Sequence, residues 1–292
     1  MVLVAPRPIV RHAPRGAGAG AGGEVLALLR DGGGTRPRFD PGLAGGLTAW
    51  LEDAAFEAVA ARGDGAGPLV LGPRRLLGST GGPGGPSEGD DGMPSDELVL
   101  SRVVHALFRQ LVDVGTLDDP LDDGLEALRA EGEQSGEVVR HIEALTGPAR
   151  AALSDAVSLH AEHLLALVPR LASGWLPRTD DRVSVPLAGG RIVLQGVFDL
   201  LIGVPAAGQA SLCAMAVSTG GPWPKERRSL HYLALLETLR SGAPPFRLAL
   251  LESASGRYGV EDVREEHLVA MASHVAAWLG GGGGRESRGA SG

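Results

Sequence analysis

The chain has 292 residues and a formal net charge of −8, so no whole-protein positive field draws it to nucleic acid, although a local basic groove stays open. Its single cysteine, Cys213, cannot form an internal disulfide, which predicts a reducing, cytoplasmic setting. No apolar run reaches the ~20 residues of a membrane span, and the N-terminus lacks an apolar signal core, so no membrane partner is expected.

Glycine (45 residues) and proline (20) are abundant, with glycine-rich runs at 16–23, 78–92 and 280–284. Such bias predicts loops and tails around a smaller folded body. Residues 1–23 read as a disordered tail. Its formal G-x-G-x-x-G at Gly18, Gly20 and Gly23 has no firm strand before it and reads as low complexity. Residues 24–77 read as a helical and irregular region. A short apolar element spans 24–30. A turn at Phe39-Asp40-Pro41-Gly42 opens a helix with Leu43, Leu47, Trp50, Leu51 and Ala54 at helical spacing. A short strand and turn follow at 69–77. Residues 78–94 read as a flexible linker, and 280–292 as a second disordered tail.

Residues 95–279 form the expected main domain. Ser95 or Asp96 caps a helix over 97–114. Leu100, Val103, Val104, Leu107, Phe108 and Leu111 make its apolar stripe, and His105 lies at the stripe's edge. Residues 117–143 are acidic and predict two short helices. Their acids suit a helix N-terminus and miss the alternate spacing of a calcium loop. A long helix covers 148–171. His160 and His163 on it have no third or fourth zinc ligand near in sequence and read as a wet face.

Then come a strand at 182–187, a tight turn at Gly189-Gly190, and two apolar strands at 191–202 and 211–218. A helix runs from Lys225 to Arg240, stopped by Ser241-Gly242 and Pro244-Pro245. A strand at 246–252, a short extension at 257–261 and a helix at 263–279 complete the order. The fold class is α/β, a small mixed sheet flanked by helices. Asp199 stands alone inside an apolar strand, where a carboxylate costs several kcal/mol unless it is paired, metal-bound or hydrogen-bonded.

Three stretches carry a resemblance: Gly196-Val197-Phe198-Asp199-Leu200, the strand end Ser218-Thr219-Gly220, and Arg227-Arg228-Ser229-Leu230-His231-Tyr232-Leu233-Ala234-Leu235. Together they resemble the core of the RecB-like branch of PD-(D/E)XK nucleases, actinobacterial members above all. That pattern has a Gly-x-x-Asp strand, an acid-x-Lys-Thr-Gly strand end, and a helix with an acid or Gln four positions before Tyr-Ala. Asp199 matches the first carboxylate. The second acid falls on Ala216, the lysine on Ser218, the helix polar position on Ser229 and the helix tyrosine on Leu233. The resemblance also implies a His or Glu facing the metal at the position of His105. That histidine reads either as a remnant of the site or as a half-buried residue with a water or carbonyl partner.

Chemistry of this type uses Mg²⁺ held by two carboxylates, with a lysine beside the attacking water. With Ala216 and Ser218 in those places the expectation is little or no hydrolysis, no cofactor, and a binding role toward DNA or a protein. An active Mg²⁺-dependent nuclease is the alternative, with Lys225 or Glu226 as migrated groups; Glu237, two helical turns on, falls too far away. A purely structural protein is the third reading. Lys225, Arg227 and Arg228 at a helix start are the candidate nucleic-acid contacts. No Gly-Lys pair supports a P-loop and no G-x-S-x-G supports a serine hydrolase.

Overall fold

Apolar runs become strands and apolar stripes become helices, as their periods require. A computed structural model describes residues 9–12, 20–30, 38–63, 67–77, 94–168, 170–171, 173–204 and 211–281. The first half holds β1 (Ile9–His12), α1 (Gly20–Arg30), α2 (Leu43–Arg62), β2 (Leu69–Leu71), α3 (Pro73–Leu77), α4 (Asp96–Asp113), α5 (Pro120–Ala130), α6 (Gly136–Ala144) and α7 (Gly147–Leu167). The second half holds β3 (Pro177–Leu187), β4 (Ile192–Ile202), β5 (Cys213–Ser218), α8 (Trp223–Ser241), β6 (Arg247–Glu252), β7 (Arg257–Asp262) and α9 (Glu265–Gly280).

Local chemistry sets several of these ends. The Ser95 hydroxyl accepts from Leu98 N at 3.3 Å and starts α4. Asp119 caps α5 by accepting from Asp122 N, with Pro120 in the first turn, where a missing N–H is harmless. Gly242 closes α8 in the left-handed region at φ 77°, a conformation glycine adopts without strain.

Of the expected linker over 78–94 and tail over 280–292, residues 78–93 and 282–292 lie outside the described residues. The N-terminal tail departs from expectation. Ile9 to His12 pair antiparallel with β7, Ile9 opposite Val260 and His12 opposite Arg257, and α1 begins at Gly20. The open edge of β7 offers unpaired backbone groups that recruit a strand whatever the composition around it.

Among the described residues the sheet has seven strands, in the order β1-β7-β6-β5-β4-β2, with β3 paired to β4. β5 and β6 run parallel and the other pairs but β2–β4 are antiparallel, so the sheet is mixed. β3 pairs with β4 from Pro177 to Leu187 except at Asp180. β2 and β5 therefore share the opposite edge of β4. β2 holds Ile192 to Leu194 and β5 holds Leu200 to Ile202. The stretch between them, residues 195–199, has no strand on that edge among the described residues, and this gap positions the candidate site.

Helices cover both faces. One core joins α1, α4, α5 and α7 to Leu200, Met215, Val217 and Leu251. The other joins α2, α8 and α9 to Leu194, Phe198, Ala214 and Leu250. Phe198 and Leu200 would share a face under strict alternation, yet they belong to opposite cores. The break falls at Asp199, opposite Asp180, whose φ is 52°. Among the described residues no helix is long and apolar enough to cross a membrane.

Candidate active site

β4 and β5 pair over only three residues and then part. β5 stays with β6 as far as Ser218 opposite Glu252. At the fork the Asp199 carboxylate replaces the lost ladder partner, its Oδ2 accepting from Val217 N at 2.8 Å. The side chain is 11 % exposed. α8 closes over the gap because Gly196 has no side chain: a Cβ there would sit 2.3 Å from Leu233 Cδ2. The result is a cavity of about 490 Å³ between α4, α8 and the open edge of β4.

His105 enters it from α4. Its Nδ1 lies 2.7 Å from Ser101 O, and a carbonyl can only accept, so Nδ1 carries a proton. Its Nε2 faces Asp199 Oδ1 at 3.5 Å and has no hydrogen-bond partner. In a neutral ring that nitrogen presents a lone pair to another lone pair. The arrangement is favourable only when a proton or another cation lies between them. Burial pushes the Asp199 carboxyl up, against the opposing pull of His105, the Val217 N–H and Arg109.

Glu226 enters from the first turn of α8. It is 6 % exposed, and its Oε1 is buried without a partner. Burial, then the charges of Asp199 and Glu252, push its carboxyl up to about 7. Glu252 is engaged by Arg257 at 3.0 Å and by Ser255. Asp199 and Glu226 thus line one cavity with His105, though the three do not converge into a ready ligand cluster. A hard cation would find two carboxylates here, one of them with an oxygen that binds nothing else.

The other expected positions are placed as follows. Ala216 lines the cavity beside Asp199. Ser218 is buried and turned into the chain, its Oγ accepting from Gly220 N at 3.3 Å and Gly221 N at 3.2 Å. Ser229 and Leu233 line the cavity from α8. The Ser229 hydroxyl donates to Lys225 O at 3.3 Å. Lys225 does not line the cavity; its charge acts on Glu226 by lowering that group's pKa against the larger effect of burial. Arg228 is exposed. Arg227 turns away to Glu261. Glu237 is fully buried and paired with Arg240, far along α8.

The arginines of the cavity were not singled out from sequence. Arg102 and Arg109 line it from α4, three residues before and four after His105. That i, i+3, i+7 spacing is a signal the sequence contained. Both pair with Glu131, and Arg102 also reaches the Ser135 hydroxyl. Arg182 on β3 donates to Gln134 Oε1 at 2.7 Å across the mouth. With Arg74, four arginines face four acids, Glu131, Asp180, Asp199 and Glu226. The lining is balanced overall: Asp199 and Glu226 are its most buried acids, while Glu131 and the exposed Asp180 lie among the arginines.

No family model, no curated protein and no solved structure matches this chain.

Proposed function

We propose that the chain is a PD-(D/E)XK-like, RecB-type fold that has lost phosphodiester hydrolysis and keeps a binding role, with DNA as the ligand at the exposed arginines of the cavity, Arg74 and Arg182. One observation carries the reading. The strand beside Asp199 offers Ala216 and Ser218 where the resemblance requires an acid and a lysine. Ala216 has no ligand oxygen, and the Ser218 hydroxyl is spent on the turn behind it. Among the described residues no lysine lines the cavity. Removing one electrostatic stabiliser of a transition state commonly costs about 10²–10³ in rate, and two are absent.

The test is incubation of the purified chain with linear duplex and single-stranded DNA in Mg²⁺ or Mn²⁺. Intact DNA and a gel shift that weakens steeply with salt are expected. The absence of any shift removes the nucleic-acid arm and leaves binding of a protein.

A second reading has its own observation. Glu226 brings a carboxylate into the cavity of Asp199, as a migrated second acid would. Mg²⁺ bound by these two would act as a Lewis acid on a phosphoryl oxygen. Asp199 and Glu226 would hold it, and His105 would orient Asp199. Metal-dependent DNA degradation that disappears in Asp199→Ala and in Glu226→Gln would establish this reading and overturn the first.

A further inference from the structure

On the side of α8 turned away from the cavity, three groups from three elements meet: His231 of α8, Glu261 of β7 and His267 in the first turn of α9. His231 Nε2 lies 2.7 Å from Glu261 Oε1. The two imidazoles stack, with centroids 4.6 Å apart and planes at 14°. One donor atom from each of the three residues lies within 4.8 Å of the others. His267 Nδ1 is buried and has no hydrogen-bond partner. Glu261 is held from behind by Arg227, with Nε 3.0 Å from both oxygens and Nη2 2.5 Å from Oε2.

Two imidazoles and one carboxylate are a borderline donor set suited to Zn²⁺ and poor for Mg²⁺, which prefers oxygen.

We propose that His231, Glu261 and His267 form a site for a Zn²⁺-class divalent ion. The ion takes the place of the proton between His231 and Glu261, and water completes four-coordination. Bond lengths of about 2.0–2.2 Å require the donors to draw closer than they stand here. Parallel stacked rings aim their lone pairs in parallel, so one ring must turn. His267 is only half-buried, at the start of a helix, and the imidazole torsion is soft. Arg227 remains on the carboxylate as a positioning residue, holding it in the manner of an outer-shell partner. The ion would tie α9 to α8 and β7. The proposal does not depend on how the cavity is read.

The experiment is calorimetric titration of the chelator-treated full chain with Zn²⁺ and, separately, with Mg²⁺, each followed by thermal unfolding. One Zn²⁺ per chain is expected, with a rise in midpoint that Mg²⁺ does not reproduce in Glu226→Gln, where the cavity has lost one of its two candidate carboxylate ligands. His267→Ala, a half-exposed change, is expected to keep the fold by circular dichroism and to weaken Zn²⁺ at least about tenfold, since even outer-shell losses commonly reach that. Arg227→Gln is expected to weaken it less, with the stoichiometry retained. Glu226→Gln is expected to leave Zn²⁺ binding unchanged, which separates this site from the cavity. No one-to-one binding by the wild type, or equal affinity in His267→Ala, overturns the proposal. Loss of Zn²⁺ binding in Glu226→Gln does so too, by placing the ion in the cavity.

Discussion

Glu226→Gln is expected to stabilise the protein by up to about 3 kcal/mol at pH 8 and to change it little at pH 4. Burial and the neighbouring acids raise this carboxyl from 4.5 to about 7 in the folded chain. Between those values the native state binds more protons than the unfolded one, so stability falls as pH rises through the window. Above about pH 7 the full penalty is present; below 4.5 it is absent. Glutamine keeps the shape and removes the ionisation. Any solvent screening of the charge lowers the penalty, so about 3 kcal/mol is a ceiling. Urea unfolding of both proteins at pH 4, 6 and 8 measures the difference. Parallel stability curves across that range would show that Glu226 carries no buried-charge penalty. The same experiment bears on function. On the second reading of the site, this costly carboxylate is the one that would hold a cation with Asp199. Added Mg²⁺ should raise the wild-type midpoint at pH 8 and not that of the variant, if the second reading of the site holds.

Arg240→Ala is expected to destabilise by about 3 kcal/mol at pH 8. Arg240 donates through Nε to Glu237 Oε2 at 2.8 Å and through Nη1 to Asp181 Oδ1 at 2.6 Å and Arg182 O at 3.1 Å. It thus ties the end of α8 to β3. Glu237 is fully buried, and its Oε1 has no partner. Burial raises its carboxyl even with Arg240 beside it. Without the guanidinium an uncompensated charge is left inside. The loss should shrink as pH falls, because Glu237 then takes up a proton. Adding Glu237→Gln to the variant is expected to restore much of the loss, a coupling that the double-mutant cycle reads directly. Additive effects would mean that the two side chains do not depend on each other. Either way Glu237 has a structural partner and is not a displaced catalytic acid.

The fold was largely readable along the chain. The stripe of Val103, Val104, Leu107 and Leu111 announced α4, and the apolar run before Gly203 announced β4, because periods of 3.6 and 2 are written in consecutive residues. Asp199 also stood out, since one acid in an apolar strand demands a partner. Its partners were less readable. Val217 N–H is a backbone group, and its pairing with Asp199 exists only because β4 and β5 separate there. β1 was missed because its partner β7 lies some 250 residues away, and pattern reasoning weighs a segment by itself.

The order of strands and helices from α4 onward, the oddity of Asp199 and the lack of an acid and lysine at Ala216 and Ser218 follow from the amino-acid sequence by itself, since each depends on identity and local spacing. Only the tertiary structure decided which way α8 turns. Packing against Gly196 sends Glu226 into the cavity and His231 to the opposite side, where Glu261 and His267 arrive from other elements. No local pattern encodes that rotation, because it is set by the fit of one helix face against a sheet built from distant strands.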